Sequence, residues 1–161
     1  MRRPVGPSTR LTVATADQTY VDPSALRCLY LHDTRSRAFC AWRGRQRGAL
    51  PITRHGYAEL VNAIALGAFR GDVATDVATG AVADLDDDLA AGRLRLADLA
   101  WRRALDAAAA LSRRYTPSLG TRTLDVLHVA SAQTLGLTTF VTYDERQAAL
   151  AKTVGLRLLR P

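Results

Sequence analysis

The chain has 161 residues, a 48% apolar fraction and a formal net charge of +7, values typical of one globular domain with an ordinary core. No apolar run approaches the roughly 20 residues of a membrane helix, and no apolar segment of a signal peptide follows the basic residues 1–4. We therefore expect a cytoplasmic protein that does not enter a membrane. The positive charge favours a nucleic acid over a neutral metabolite as partner.

Residues 1–17 lack a clear period and are predicted to form a flexible N-terminal extension, so that residues 18–161 form a single domain. Short apolar runs between turn residues predict strands at 18–22, 50–53, 94–97, 138–143 and 156–159. Apolar residues at helical spacing predict helices, one starting at Pro23 and the others at 33–47, 54–69, 72–91, 101–115, 123–135 and 145–154. This alternation predicts an α/β fold with a parallel sheet covered by helices on both faces.

Four acidic residues occupy positions suited to an active site. Asp22 and Asp144 directly follow predicted strands, Asp125 opens a predicted helix, and Glu59 lies one turn inside another. Ligands of open α/β sheets bind outside the carboxyl ends of the strands, and oxygen ligands suit Mg²⁺ or Mn²⁺. Taken singly, Asp22 and Asp144 are equally well explained as helix caps, Asp125 as compensation of the helix dipole, and Glu59 as a solvated residue.

The segments around these acids resemble, in order, the motifs of PIN-domain proteins, in particular VapC-type ribonuclease toxins of type II toxin–antitoxin systems. The resemblance covers residues 18–160, and its most specific block is Leu-Asp-x-Leu-His-x-Ala-Ser-Ala within 123–132. It implies a three-layer α/β/α fold with a short, mainly parallel central sheet. The motif segments are 20–26, 57–63, 123–132 and 140–144.

The resemblance also implies an activity. Asp22, Glu59, Asp125 and Asp144 would be the catalytic residues and would bind Mg²⁺ or Mn²⁺. Ser24 and Thr142 would support them by hydrogen bonds. The protein would be an endoribonuclease toxin that cleaves structured RNA, tRNA or rRNA, with a metal-activated water. It would form a homodimer and be inhibited by a cognate antitoxin.

Two departures from the family pattern concern the first motif. Pro23 stands where a Thr or Ser is more usual, which removes one hydroxyl from the edge of the site. About 17 residues precede the first strand, whereas the first Asp of the family usually lies close to the N-terminus. Because all four acids are present, we expect an altered site and not an inactive one.

Arginines are expected to guide RNA to this acidic centre, because guanidinium groups pair well with phosphate oxygens. Arg122 is the strongest candidate, since it lies three residues before Asp125, and Arg43 and Arg45 are weaker ones. Among the histidines, we expect His128 to be packed or hydrogen-bonded and His55 to be an exposed residue of a first helical turn.

The sequence is also compatible with two other classes of function, both less well supported. One is a PIN-fold module that binds RNA or a protein without cleaving it, which the four intact acids disfavour. The other is a phospho-acceptor receiver domain, which needs a lysine at a strand end, whereas Lys152 lies in a predicted helix. Cys28 and Cys40 are predicted to be buried free thiols.

Overall fold

The computed structural model describes residues 15–161, and the strands of this part all pair in parallel. The strands are β1 (Thr19–Val21), β2 (Leu50–Ile52), β3 (Leu94–Leu96), β4 (Thr139–Val141) and β5 (Arg157–Leu159). Sheet pairing links β1 to β4 and β4 to β5, while β2 pairs with β3. The α/β fold with a mainly parallel sheet is thereby confirmed.

The two sheets adjoin where β2 lies beside β1 in the same direction. At the start of both strands, Gly48 lies against the Asp17 side chain and adopts a φ of 87°, a left-handed conformation that favours glycine. At their far ends, the Tyr20 hydroxyl lies 3.3 Å from Thr53 Oγ1. The carboxyl ends of the strands therefore meet at one edge of the fold.

Helices cover both faces of the strands, as the three-layer prediction requires. Side chains alternate along a strand, so Val21 and Val141 pack on one side while Tyr20 and Phe140 pack on the other. The α-helices are α1 (Pro23–Leu26), α2 (Ser36–Arg45), α3 (Arg54–Arg70), α4 (Thr75–Ala90), α5 (Trp101–Leu119), α6 (Thr123–Thr134) and α7 (Glu145–Thr153). The first side is covered by α1 to α4, and the second by α5 to α7.

The prediction that α5 ends before Pro117 is wrong. The helix continues to Leu119 and ends at Gly120, which adopts a left-handed conformation and donates its N–H to the Thr116 carbonyl. Pro117 lies in the last turn on an exposed face, where water can satisfy the carbonyl that loses its partner. The connection to the next helix is therefore shorter than the interval 116–122 left between the two predicted helices.

At the end of the predicted N-terminal extension, residues Ala16–Gln18 form a short 3-10 turn, in which Ala16 is fully buried and donates its N–H to the Arg47 carbonyl. Residues 1–14 of that extension lie outside the described residues. The prediction for the two cysteines is half right. Cys28 is a buried free thiol as predicted, but Cys40 is exposed.

Within residues 15–161, no helix is both long and apolar enough to span a membrane.

Candidate active site

Asp22 is the most enclosed of the four acids, with 1% of its surface exposed. It follows β1, continues the strand pairing through its N–H to the Val141 carbonyl, and caps α1 by accepting the Ser24 N–H at 3.1 Å. Its carboxylate also accepts hydrogen bonds from the Ser24 and Thr142 hydroxyls and, at 3.0 Å, from the Gln147 amide. All of these donors are neutral.

Thr142 links Asp22 to the acid that follows β4. Its hydroxyl donates to Asp22 at 3.3 Å and accepts the Asp144 N–H at 3.0 Å. Asp144 caps α7, because its Oδ1 accepts the N–H groups of Arg146 and Gln147 at 2.8 and 2.9 Å. Asp22 and Asp144 are thus helix caps that also stand together at the sheet edge.

Asp125 is buried in the first turn of α6 and is held by Arg122. Its Oδ2 accepts the backbone N–H of Arg122 at 2.8 Å and the side-chain Nε at 3.2 Å. The same guanidinium reaches Asp144 Oδ2 at 3.3 Å. The hydrogen bond to Asp125 raises the pKa of Arg122 above its ordinary value, and the charges of Asp144 and Glu59 add to this effect.

Glu59 reaches the site from α3. Its Oε2 lies 2.7 Å from Nε2 of His128, a residue buried on α6 one turn after Asp125. Glu59 and Asp125 also line the same surface cavity of about 340 Å³. The four predicted acids therefore converge on one edge of the fold, through Thr142, Arg122 and this shared cavity.

Burial destabilises the charged form of Asp22. Loss of hydration raises the pKa of this carboxyl above its usual value, and nearby Glu59 raises it further. His128, Ser24 and Gln147 oppose the rise without cancelling it. Within residues 15–161, Asp22 forms no salt bridge, which leaves its negative charge without a cationic partner in contact.

The donors available to a metal ion are carboxylate oxygens, which fits Mg²⁺ or Mn²⁺ and not Zn²⁺. In the described part of the chain, no three His, Cys, Asp or Glu side chains form a ready-made ion cluster. The contacts explain this, because Arg122 lies between Asp125 and Asp144 while Glu59 turns towards His128. A guanidinium already neutralises two of the acids, so the edge suits positive charge.

Two arginines predicted to bind RNA do not join this edge. Arg43 donates to the carbonyls of Gln46, Gly48 and Arg93, which precede β2 and β3, and therefore lies at the opposite edge of the strands. Arg45 is exposed at the end of the same helix. Its guanidinium forms no hydrogen bond with the residues from 15 onwards.

The prediction for His128 is confirmed, and the prediction for His55 is wrong. His128 is fully buried and hydrogen-bonded, as expected. His55 is not exposed, because its ring packs against Trp101 and His128 at centroid distances of 5.2 and 4.9 Å. Burial lowers the pKa of His55 to about 4, so the ring is neutral at physiological pH.

Sequence reasoning missed Gln147 and Tyr20. Gln147 is the third residue after the capping Asp144, a spacing typical of a capping box, and that pattern places it beside the start of α7. Its contact with Asp22 is not local, and neither is the contact of the Tyr20 hydroxyl with His128. No signal in the sequence around Tyr20 distinguishes it from an ordinary core residue.

Comparison with known proteins identifies the family. The crystal structure of PAE2754 from Pyrobaculum aerophilum superposes with a TM-score of 0.61 over 96% of this chain and 92% of that chain, at 20% sequence identity, and so shares its fold. No match was found among curated proteins. The family model described as PIN domain matches residues 19–153, a span that contains all four acids. The chain therefore belongs to the PIN-domain family, whose fold is generally that of a nuclease.

Proposed function

We propose that this protein is a Mg²⁺- or Mn²⁺-dependent endoribonuclease. The observation that carries the proposal is the convergence of four carboxylates at one edge of the fold, with Asp22 buried and lacking a cationic partner among residues 15–161. Such an arrangement concentrates negative charge at one place, and a bound divalent cation would neutralise it. The net charge of +7 supports an anionic polymer as substrate.

Asp22, Glu59, Asp125 and Asp144 are the residues that would hold the metal. When bound, the ion supplies a water of lowered pKa and neutralises charge on the scissile phosphate. Ser24, Thr142 and Gln147 fix the Asp22 carboxylate from three directions. These neutral donors orient the carboxylate without neutralising it, which keeps its charge available.

Arg122 has a second role in this proposal. Its side chain is 66% exposed and is shared between Asp125 and Asp144. With a cation bound by those acids, the guanidinium of Arg122 would be held less tightly and would be available to pair with an RNA phosphate at the rim of the site. The arginine that stabilises the metal-free protein thereby becomes a substrate contact.

The biological setting is part of the proposal and depends on the resemblance of the motifs to VapC-type toxins. We propose a cytoplasmic, homodimeric toxin that cleaves structured RNA, tRNA or rRNA, and is inhibited by a cognate antitoxin. A small adjacent gene for a DNA-binding antitoxin, together with growth arrest on expression of the toxin alone, is the expected result. Growth unaffected by high expression of active enzyme contradicts the toxin role.

The cleavage activity is tested with purified protein and a total-RNA sample in Mg²⁺, Mn²⁺ or EDTA. Asp22→Asn and Asp125→Asn are each expected to lower cleavage by about 10³-fold or more, because a catalytic metal contributes several kcal/mol. Asp76→Asn is the matched control, since Asp76 also lies in the first turn of a helix but is exposed. Unimpaired cleavage by both site variants, or cleavage that persists in EDTA, contradicts the proposal.

A non-cleaving PIN-fold module that binds RNA or a protein is the second candidate. The absence of a ready-made three-ligand cluster within residues 15–161 favours it. Calorimetric binding of Mn²⁺ or RNA without cleavage of any RNA supplied would support this function over the first.

A further inference from the structure

His128 holds Glu59 from inside the protein. The imidazole is fully buried, and its Nε2 lies 2.7 Å from Oε2 of Glu59, whose side chain is about one third exposed. Since a carboxylate accepts hydrogen bonds, Nε2 carries the proton in this contact. Within residues 15–161, Oε1 of Glu59 takes part in no hydrogen bond, so one carboxylate oxygen is held by His128 while the other has no partner there. Glu59 lines the cavity that it shares with Asp125.

The second nitrogen of the imidazole also has a hydrogen-bond partner. Its Nδ1 lies 2.7 Å from the hydroxyl of Tyr20, which is itself 3.3 Å from Oγ1 of Thr53. Thr53 Oγ1 also accepts the Gly56 N–H at 3.1 Å and lies 3.3 Å from Nε2 of His55. A continuous series of polar contacts therefore connects Thr53, at the start of α3, through Tyr20 and His128 to Glu59 on the same helix.

Tyr20 is held too firmly to release the imidazole. Its ring stacks on Phe140 at a centroid distance of 5.3 Å with the planes 2° apart, and it is 2% exposed. Burial raises the pKa of the Tyr20 hydroxyl well above its ordinary value, so the group remains a protonated phenol. A buried imidazole with both nitrogens bonded has one orientation, and it sets the direction of the glutamate.

We infer that His128 is a positioning residue for Glu59, acting with Tyr20 to aim the free Oε1 oxygen at the metal. The inference rests on the proposed metal role of Glu59. Histidine suits this positioning role because its rigid ring can bond to Tyr20 through one nitrogen and to Glu59 through the other. Nε2 donates a hydrogen bond to the carboxylate both in the neutral tautomer that carries its proton on Nε2 and in the doubly protonated ring.

The experiment measures Mn²⁺ binding by calorimetry, without RNA, on the full-length chain. His128→Leu is expected to weaken binding by about 10–100-fold, the usual effect of removing a partner that orients a metal ligand. His128→Gln is expected to recover most of the affinity, because its amide can donate to Glu59. Ser131→Ala is the matched control: Ser131 is buried on the same helix, its Oγ lacks a partner among residues 15–161, and the variant should bind as the parent does.

A double-mutant cycle separates positioning from general packing. If His128 acts through Glu59, then His128→Leu adds no further loss of Mn²⁺ affinity in a Glu59→Gln background, whereas a packing defect adds in full. Tyr20→Phe, which removes only the hydroxyl, provides the same test should His128→Leu not fold, and a several-fold loss is expected.

Unchanged Mn²⁺ affinity in folded His128→Leu or in Tyr20→Phe overturns the inference and leaves the proposed nuclease untouched. Equal loss in the Gln and Leu variants also overturns it. A parent protein that binds no Mn²⁺ at all overturns the proposed metal site, and the positioning role with it. These outcomes are distinguishable because the parent is measured first.

Discussion

Asp22 and Asp125 are two buried carboxylates of the same site that are stabilised in opposite ways. They are 1% and 4% exposed, so both have lost nearly all hydration. Asp125 receives a guanidinium through two side-chain hydrogen bonds, while Asp22 receives only neutral donors. The two carboxylates are therefore almost equally buried, but only the charge of Asp125 is compensated by a cationic side chain.

This difference assigns the two acids different energetic roles. The guanidinium of Arg122 balances the charge of Asp125 in this structure, so a cation bound there would compete with Arg122 and would gain little binding free energy. The charge of Asp22 is unbalanced, and burial raises the pKa of its carboxyl. A divalent cation should therefore gain most of its binding free energy at Asp22, and the metal-free protein should be destabilised by this residue.

The strongest test of the comparison is Asp22→Asn. In EDTA at pH 7, we expect this variant to melt at a higher temperature than the parent, because it removes an uncompensated buried charge. The new amide also faces Gln147, whose Oε1 is buried without a partner among residues 15–161 and can accept from it after an amide rotation. Thermal unfolding followed by circular dichroism measures the change.

The same variant should lose its response to metal. For the parent, Mg²⁺ at 100 times its dissociation constant adds about 2.7 kcal/mol, or roughly 5–10 °C in Tm. Asp22→Asn should show almost none of this rise, while the exposed control Asp76→Asn keeps all of it. A lower Tm for Asp22→Asn in EDTA would mean that its hydrogen bonds outweigh its charge, and the comparison would fail.

Arg122→Ala is expected to act in the opposite direction and more weakly. It leaves Asp125 buried without its cation, so the metal-free protein should lose about 1 kcal/mol, or roughly 2–4 °C in Tm, the exposure of Arg122 limiting the effect. Mg²⁺ should then bind more tightly in calorimetry, because no guanidinium competes for the acids. A variant that is as stable as the parent, with unchanged Mg²⁺ affinity, would show that Arg122 compensates nothing.

The sequence predicted the layout of this site because the layout is local. A carboxylate directly after a parallel strand lies at the sheet edge, so Asp22 and Asp144 could be located without a structure. Arg122 precedes Asp125 by three residues, a spacing that places both at the start of α6. In the structure, Asp22 and Asp144 cap helices and also lie at the sheet edge, so the helix-cap explanation and the proposed site role do not exclude each other.

The means by which the acids are held could not be predicted, because those contacts are distant in sequence. Tyr20 and His128 are separated by 108 positions, and Asp22 and Gln147 by 125. His55 was expected to be exposed because nothing near it indicates that Trp101, on another helix, covers its ring. Periodicity reports which face of an element is buried, but not which side chain it meets there.

The most gradual expected effect is the pH dependence of the metal-free protein, because it spreads the destabilisation by Asp22 over a range of pH. The folded pKa of Asp22 is raised above its unfolded value of about 3.9, so the folded state retains a proton that the unfolded state has released. The contribution of this group to stability is therefore complete below about pH 3.9 and is lost as pH rises through the folded pKa, at no more than about 1.36 kcal/mol per pH unit. The Tm difference between Asp22→Asn and the parent in EDTA should thus widen from pH 4 upwards and then level off. A difference that is constant from pH 4 to pH 7 would mean that Asp22 is already ionised at the lower value, and its hydrogen bonds would then compensate its burial as fully as Arg122 compensates that of Asp125.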